Sequence, residues 1–146
     1  MAIVVPSEYG YVLAVATASA LQLFWFAHGV NTARKAAGVP YPYLYAEKSE
    51  AEKDQAKHLF NCAQRVHQNS LESFPVFSTL LLIGGISHPE VSAGAGAIYL
   101  VGRAAYSSGY KTGEPKKRVR GVFGYIGLLT LLYTTGATIH TLLKAL

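Results

Sequence analysis

The sequence predicts an all-α integral membrane protein, a four-helix bundle with four transmembrane helices in a single domain over residues 1–146. Three observations carry that prediction. Apolar residues make up 51% of the chain and charged residues only 14%, unusual for a soluble domain of this length. No Asp, Glu, Lys or Arg falls between Tyr9 and Ala33 or between Gly121 and Leu143. Each of those stretches exceeds the roughly 20 helical residues that cross a hydrocarbon core of about 30 Å. Finally, the basic residues gather in two polar connections, as they do around membrane spans.

The first helix is expected over 9–36. Its end is marked by Gly38 and the two prolines of "GVPYPYLYAEKSEAEKD" (38–54), which reads as a loop closing in a charged run. The second helix, 55–86, is polar at its start and charge-free from Ser73 to Pro89. The third, 90–110, follows the tight turn "SHPE", with Pro89 suited to a first helical turn. It is charge-free only from Val91 to Gly102. Both middle spans therefore reach full length by running into polar sequence, so the polar ends must be sheltered by protein or face a wet cleft. After "KTGEPKKR" the fourth helix is expected over 116–144.

Charge sets the orientation. Arg34, Lys35, Lys48, Lys53, Lys57 and Arg65 belong to the first connection and its flanks, and Lys111, Lys116, Lys117, Arg118 and Arg120 to the third. By the positive-inside rule both connections are cytosolic and both termini face the other side, with Lys144 the basic residue there. Small residues at Gly10, Ala14 and Ala18, and the run "SAGAGA" at 92–97, allow close helix approach in lipid.

Several function classes drop out. The single cysteine, Cys62, has no intramolecular disulfide partner and no zinc-ligand spacing around it. A net charge of +5 suggests nucleic acid, but the basic residues form no stripe with interleaved aromatics. No lysine or arginine precedes the first apolar run, so the first helix is expected to be retained rather than cleaved as a secretory signal. A channel or transporter would carry charges at midspan of the first or fourth helix. None occurs, and His28 and His140 read as satisfied interior or edge groups.

The chemistry lies on the second and third helices. Arg65, Asn69 and Glu72 stand at i, i+4 and i+7 and share one face, widened by Gln64, His67 and Gln68. The third helix offers Arg103, Tyr106 and Tyr110 at i, i+3 and i+7. Lys117, Arg118 and Arg120 open the fourth. A bland alternative stays open, in which the polar half projects above the membrane with Arg65 and Glu72 solvated or paired to each other. A ligand meeting all these groups needs carboxylates for the guanidinium groups, an amine for Glu72 and amides for Asn69. A short zwitterionic peptide with extra acid groups has that composition.

The stretch "FNCAQRVHQNSLESFPVF" strongly resembles the signature of the MAPEG family, the membrane-associated proteins in eicosanoid and glutathione metabolism. The runs "YLVGRAAYSSGYKTGEPKKRVRG" and "SEYGYVL" look like the family's type-3 branch, that of microsomal glutathione transferase 3. The resemblance covers nearly the whole chain. It implies a homotrimer of four-helix subunits in the endoplasmic reticulum membrane, with the mitochondrial outer membrane as an alternative. Glutathione would be the co-substrate, held between neighbouring subunits on the cytosolic side, with no metal. The partners implied are glutathione, membrane lipid and a lipophilic electrophile or lipid hydroperoxide. The activities implied are glutathione transfer, with glutathione peroxidase and leukotriene-C-synthase-like chemistry beside it. By position, Arg34, Arg65, Asn69, Glu72, Tyr106 and Tyr110 match the family's glutathione-binding residues.

Two positions depart from the family's pattern. Ser73 stands where other members carry a tyrosine, and His67 where a glutamine is common. The arginine that stabilises the thiolate aligns with Lys117 in several relatives, but the type-3 pattern puts it one later, at Arg118, which is the assignment adopted. At 100° per residue Arg120 would point roughly 200° away from Arg118 on an α-helix. Lys117 and Arg120 then read as a basic collar at the membrane interface. A non-catalytic lipid-binding relative, similar to the lipoxygenase-activating protein, is the rival reading. It should lack the arginine that opens the fourth helix.

Overall fold

The structure is a computed structural model that describes residues 5–145. The expected domain of 1–146 extends past those residues at both ends. Among the described residues all regular structure is helical: α1 (Tyr9–Ala37), α2 (Lys48–Ala51), α3 (Gln55–Ser87), α4 (Pro89–Tyr110), a 3-10 segment (Pro115–Gly121) and α5 (Gly124–Lys144).

The boundaries follow local chemistry. α1 stops where Gly38 takes φ 62°, a left-handed conformation open to glycine without a Cβ penalty. The chain then turns so that Gly38 N–H reaches the Lys35 carbonyl (3.3 Å) and Val39 N–H that of Arg34 (3.4 Å). α3 starts because the Asp54 carboxylate accepts from Ala56 N–H (2.8 Å) and Lys57 N–H (3.4 Å), two donors that the first helical turn cannot pair internally. We expect Asp54→Ala to cost about 1 kcal/mol of stability, read as a lower Tm in detergent. An unchanged Tm would mean that tertiary contacts alone hold this helix end.

The fourth expected helix needs correction. Residues 115–121 form a 3-10 helix, and α5 begins only at Gly124. The reason is close backbone packing against α4. A Cβ on Gly109 would lie 2.6 Å from the Lys117 carbonyl carbon and 3.0 Å from the Arg118 amide nitrogen. A Cβ on Gly102 would lie 2.6 Å from the Gly124 Cα. The segment is thus drawn onto α4 along a glycine row, Gly102 and Gly109 at i and i+7, and its tighter winding accommodates that approach. Within the former loop, Lys48–Ala51 adds one turn of α-helix that its charged composition concealed.

α3 is the axis of the bundle, packed against α1, α4 and α5. Its 33 residues span about 50 Å, longer than a hydrocarbon core of about 30 Å, so its first turns extend beyond the lipid. The core runs along it in three groups. Val12, Phe77, Leu81, Tyr99 and Leu131 fill the middle, with Phe77 stacked on Tyr99 at 4.4 Å. Phe26, Cys62, Val66 and Tyr110 lie nearer the connections, and Val30, Ala37, Val39, Ala46 and Phe60 lie beneath the first of them. Toward the opposite end hydroxyls join the helices: Thr135 Oγ1 donates to Leu80 O (2.9 Å) and Ser92 Oγ to Thr134 Oγ1 (3.1 Å).

α1, α3 and α5 are each long and apolar enough to cross a membrane. α4 is long enough by its 22 residues but, with Glu90, Arg103 and its many small side chains, is not among the helices apolar enough to be counted.

Candidate functional site

The polar residues of α3 form one connected group. Arg65 Nη1 donates to Glu72 Oε1 (3.1 Å) and Oε2 (3.4 Å), and Asn69 Nδ2 donates to Glu72 Oε2 (3.5 Å). The Arg65 and Glu72 side chains are 41% and 49% exposed, so the pair adds at most about 1 kcal/mol to stability. A charged pair contributing so little to the fold is available to exchange partners with a ligand. The local pairing foreseen as the bland alternative is therefore present, and both ends of it remain open.

The first connection folds over this group. Tyr45 donates to Gln68 Oε1 (2.5 Å), while Asn61 brackets Ala46 from both sides, accepting from its N–H (2.8 Å) and donating to its carbonyl (3.0 Å). Partial burial pushes the Tyr45 hydroxyl above its usual pKa, and the nearby Arg65 guanidinium opposes that rise. Tyr45 therefore stays a neutral donor at neutral pH, facing the same space as Arg65. No signal in the sequence distinguished it from the other tyrosines of the connection.

α4 supplies the other wall. Arg103 Nη2 donates to Ser70 Oγ (2.8 Å), tying α4 to α3, and its guanidinium lies 4.2 Å from the Tyr106 ring centre. The Tyr106 and Tyr110 rings sit 5.1 Å apart. Arg65 lies within electrostatic reach of the Tyr45 and Tyr106 hydroxyls, so the faces of α3 and α4 are contiguous. Arg103 Nε is buried with no hydrogen-bond partner among the described residues. It borders a crevice of about 80 Å³ shared with Asn69, Ser73, Tyr99 and Tyr125. Ser73 receives the Tyr99 hydroxyl (2.9 Å), and its small side chain helps to keep that crevice open. Arg103 was recognised on the α4 face but not counted among the ligand-binding residues. The structure places it on the wall of this crevice, beside Asn69.

The other expected residues are distributed differently. Arg34 is 7% exposed: Nη1 donates to Tyr43 O (2.7 Å) and Val39 O (3.4 Å), and its guanidinium lies against the Tyr41 and Phe60 rings at 4.6 and 4.7 Å. Within the subunit it anchors the first connection and makes no hydrogen bond to the Arg65 group. His67 stands about 200° around α3 from Arg65, on another face. Lys117 Nζ is paired with Glu114 Oε1 at 2.6 Å. Arg118 is exposed and has no ion-pair partner among the described residues. Its main chain passes over Gly109, next to Tyr110. With 3.0 residues per turn in the 3-10 segment, Arg120 points about 240° from Arg118 rather than about 200°, so the two side chains still diverge. Among the described residues no group of three His, Cys, Asp or Glu side chains is placed to hold a metal.

Microsomal glutathione S-transferase 2 of Homo sapiens is 32% identical over 125 residues, covering 85% of this chain and 78% of that protein. Microsomal glutathione S-transferase 2 of Mus musculus is 39% identical over 69 residues, covering 47% of this chain and 46% of its own. The model of the MAPEG family matches residues 12–140, which include the Arg65 group, the α4 tyrosines and the 3-10 segment. The chain belongs to the MAPEG family.

Proposed function

We propose that the protein is a membrane-bound glutathione transferase that ionises the glutathione thiol and delivers it to lipophilic electrophiles or lipid hydroperoxides. The observation that carries this reading is the half-exposed Arg65–Asn69–Glu72 group facing Tyr45 and Tyr106 at the end of the bundle. It offers guanidinium donors for the tripeptide's carboxylates, a carboxylate for its amine and an amide for its peptide groups. Arg103, Tyr106 and Tyr110 complete the donor set, with Lys117 and His67 in outlying roles.

Arg118 is the thiolate-stabilising residue. A guanidinium stays charged at any physiological pH and presents a fork of donors, whereas Lys117 is engaged by Glu114. The anion, not the thiol, is the nucleophile. Attack on an electrophilic carbon forms the carbon–sulfur bond and expels the leaving group. Attack on a hydroperoxide O–O bond gives the lipid alcohol and a glutathione sulfenic acid, which a second glutathione converts to the disulfide and water. Both reactions share the first step, as does leukotriene-C-synthase-like addition.

The active assembly is a homotrimer of four-span subunits in the endoplasmic reticulum membrane, with its sites facing the cytosol. Two features support it. The Gly10, Ala14 and Ala18 row faces away from the subunit's own bundle, leaving room for a helix of a second copy. The basic connections lie together at one end. The type-3 assignment rests on the run through 99–121, beside relatives that carry the type-2 name.

Isothermal titration of the purified protein with glutathione tests the site. We expect Glu72→Gln to weaken binding about tenfold or more by removing the counter-charge for the amine, with Tm nearly unchanged because the Arg65 pair is exposed. Wild-type protein with no measurable glutathione binding would sink the reading.

A further inference from the structure

A second cavity, of about 210 Å³, lies between α1, α3 and α4. Phe26 and Gly29 of α1, Ala63 and Val66 of α3, and Ser107 and Tyr110 of α4 form its walls, with Trp25, His28 and Lys111 around its mouth. Tyr110 is the wall it shares with the glutathione site. The transferase chemistry uses none of its other residues.

Three features show that this space is more than loose packing. A Cβ added at Gly29 would meet nothing within 4 Å, so α1 leaves the cavity open at that turn. Ser107 is 2% exposed, yet its hydroxyl has no hydrogen-bond partner among the described residues. Other helical serines are satisfied locally: Ser108 bonds the Ala105 carbonyl (2.7 Å), Ser70 that of Val66 (2.7 Å) and Ser73 that of Asn69 (3.1 Å). The fully buried side-chain atom without a partner among the described residues is Arg103 Nε, so the Ser107 hydroxyl keeps contact with the cavity space and is free to bond a ligand there. The third feature is Lys111. Its ammonium sits 4.6 Å from the Trp25 ring centre, with no carboxylate within 4 Å among the described residues.

We propose that this cavity binds a single-chain anionic amphiphile, its acid group held by Lys111 and Ser107 and its alkyl chain lying against Phe26, Ala63 and Val66. Ser107 and Lys111 are one helical turn apart on the same face of α4, close enough to contact one head group. The mouth lies at the last turn of α4, where the apolar span gives way to charge. By the charge pattern, a lipid head group would lie at that level. The volume decides how much enters. At about 210 Å³ it is smaller than the roughly 300–1,000 Å³ of pockets that enclose drug-sized ligands, so it takes part of one chain and leaves the rest in the bilayer. The proposal stands whether or not the chain activates glutathione.

Trp25, the only tryptophan of the sequence, lines the mouth and reports occupancy directly. Protein in phosphatidylcholine nanodiscs is titrated with a C18 fatty acid brominated along its chain, following Trp25 quenching. The expected result is a saturable quench at low mole fraction, about tenfold weaker for the brominated alcohol of the same chain. Lys111→Gln should reduce the acid to the level of the alcohol. Gly29→Phe, which fills the cavity, should remove the saturable phase while circular dichroism and Tm stay near wild type. A quench that rises linearly and equally for acid and alcohol would mean bulk-lipid contact only and overturns the proposal, as does saturable quenching that survives Gly29→Phe. Brominated phosphatidic acid saturating at a lower mole fraction than the fatty acid would overturn the single-chain assignment.

Discussion

Arg118→Ala is expected to abolish the glutathione thiolate that wild-type protein forms on rapid mixing, followed by its ultraviolet absorbance in a stopped-flow instrument. A cysteine thiol titrates near 8.5, so at pH 7 only about 3% is ionised. A guanidinium that lowers this value by about two units, worth about 2.7 kcal/mol, raises the ionised fraction at pH 7 to about three-quarters. Loss of Arg118 should therefore cut the thiolate amplitude roughly 25-fold. The sign also sets the pH window. With the thiol's pKa depressed, the wild-type amplitude persists below the free-thiol value and fades only as pH falls through about 6.5, whereas the variant's thiolate is gone by about pH 7.5. Lys117→Ala should change little, because Lys117 is already engaged by Glu114 at 2.6 Å. An unchanged amplitude in Arg118→Ala with loss in Lys117→Ala would move the role one residue earlier.

Gly109→Val is expected to separate binding from ionisation. A Cβ at Gly109 would lie 2.6 Å from the Lys117 carbonyl carbon and 3.0 Å from the Arg118 nitrogen, both main-chain atoms that cannot turn aside as a side chain can. The 3-10 segment must lift from α4 and carry Arg118 with it. Overpacking of this kind costs about 1–3 kcal/mol, so Tm should fall. Thiolate formation should drop about tenfold or more, while glutathione affinity changes by no more than about threefold, since Arg65, Asn69 and Glu72 sit on α3. Gly94→Ala on the same helix is the control, because a Cβ there meets nothing within 4 Å. Full thiolate amplitude in Gly109→Val would show that the closeness of the segment to α4 has no part in the chemistry.

The first three helices were legible because their signals are local. Charge-free runs, Gly38, the charged run that closes the first connection and Pro89 place the ends within a residue of 9–36, 55–86 and 90–110. The start of the fourth was not, because nothing in "EPKKRVRG" announces that glycines on α4 will draw it into a 3-10 turn. The candidate site divides the same way. Arg65, Asn69 and Glu72 share a face by helical spacing alone, and the structure joins them through Glu72. Arg34 looks equally available in the sequence, yet its guanidinium is buried against Tyr41 and Phe60.

Composition and periodicity by themselves determined that the chain is helical, that long apolar stretches alternate with basic connections, and that one face of α3 carries ionic chemistry. These depend on hydrogen bonding along the chain and on transfer from water, both properties of short segments. Only the tertiary structure decided which polar groups are used up and which are left open. It ties Tyr45 to Gln68 and Arg103 to Ser70, seats Arg118 beside α4, and leaves Ser107 and Lys111 facing a cavity. Those outcomes depend on how closely two helices approach, and that distance is set by residues far apart in the chain.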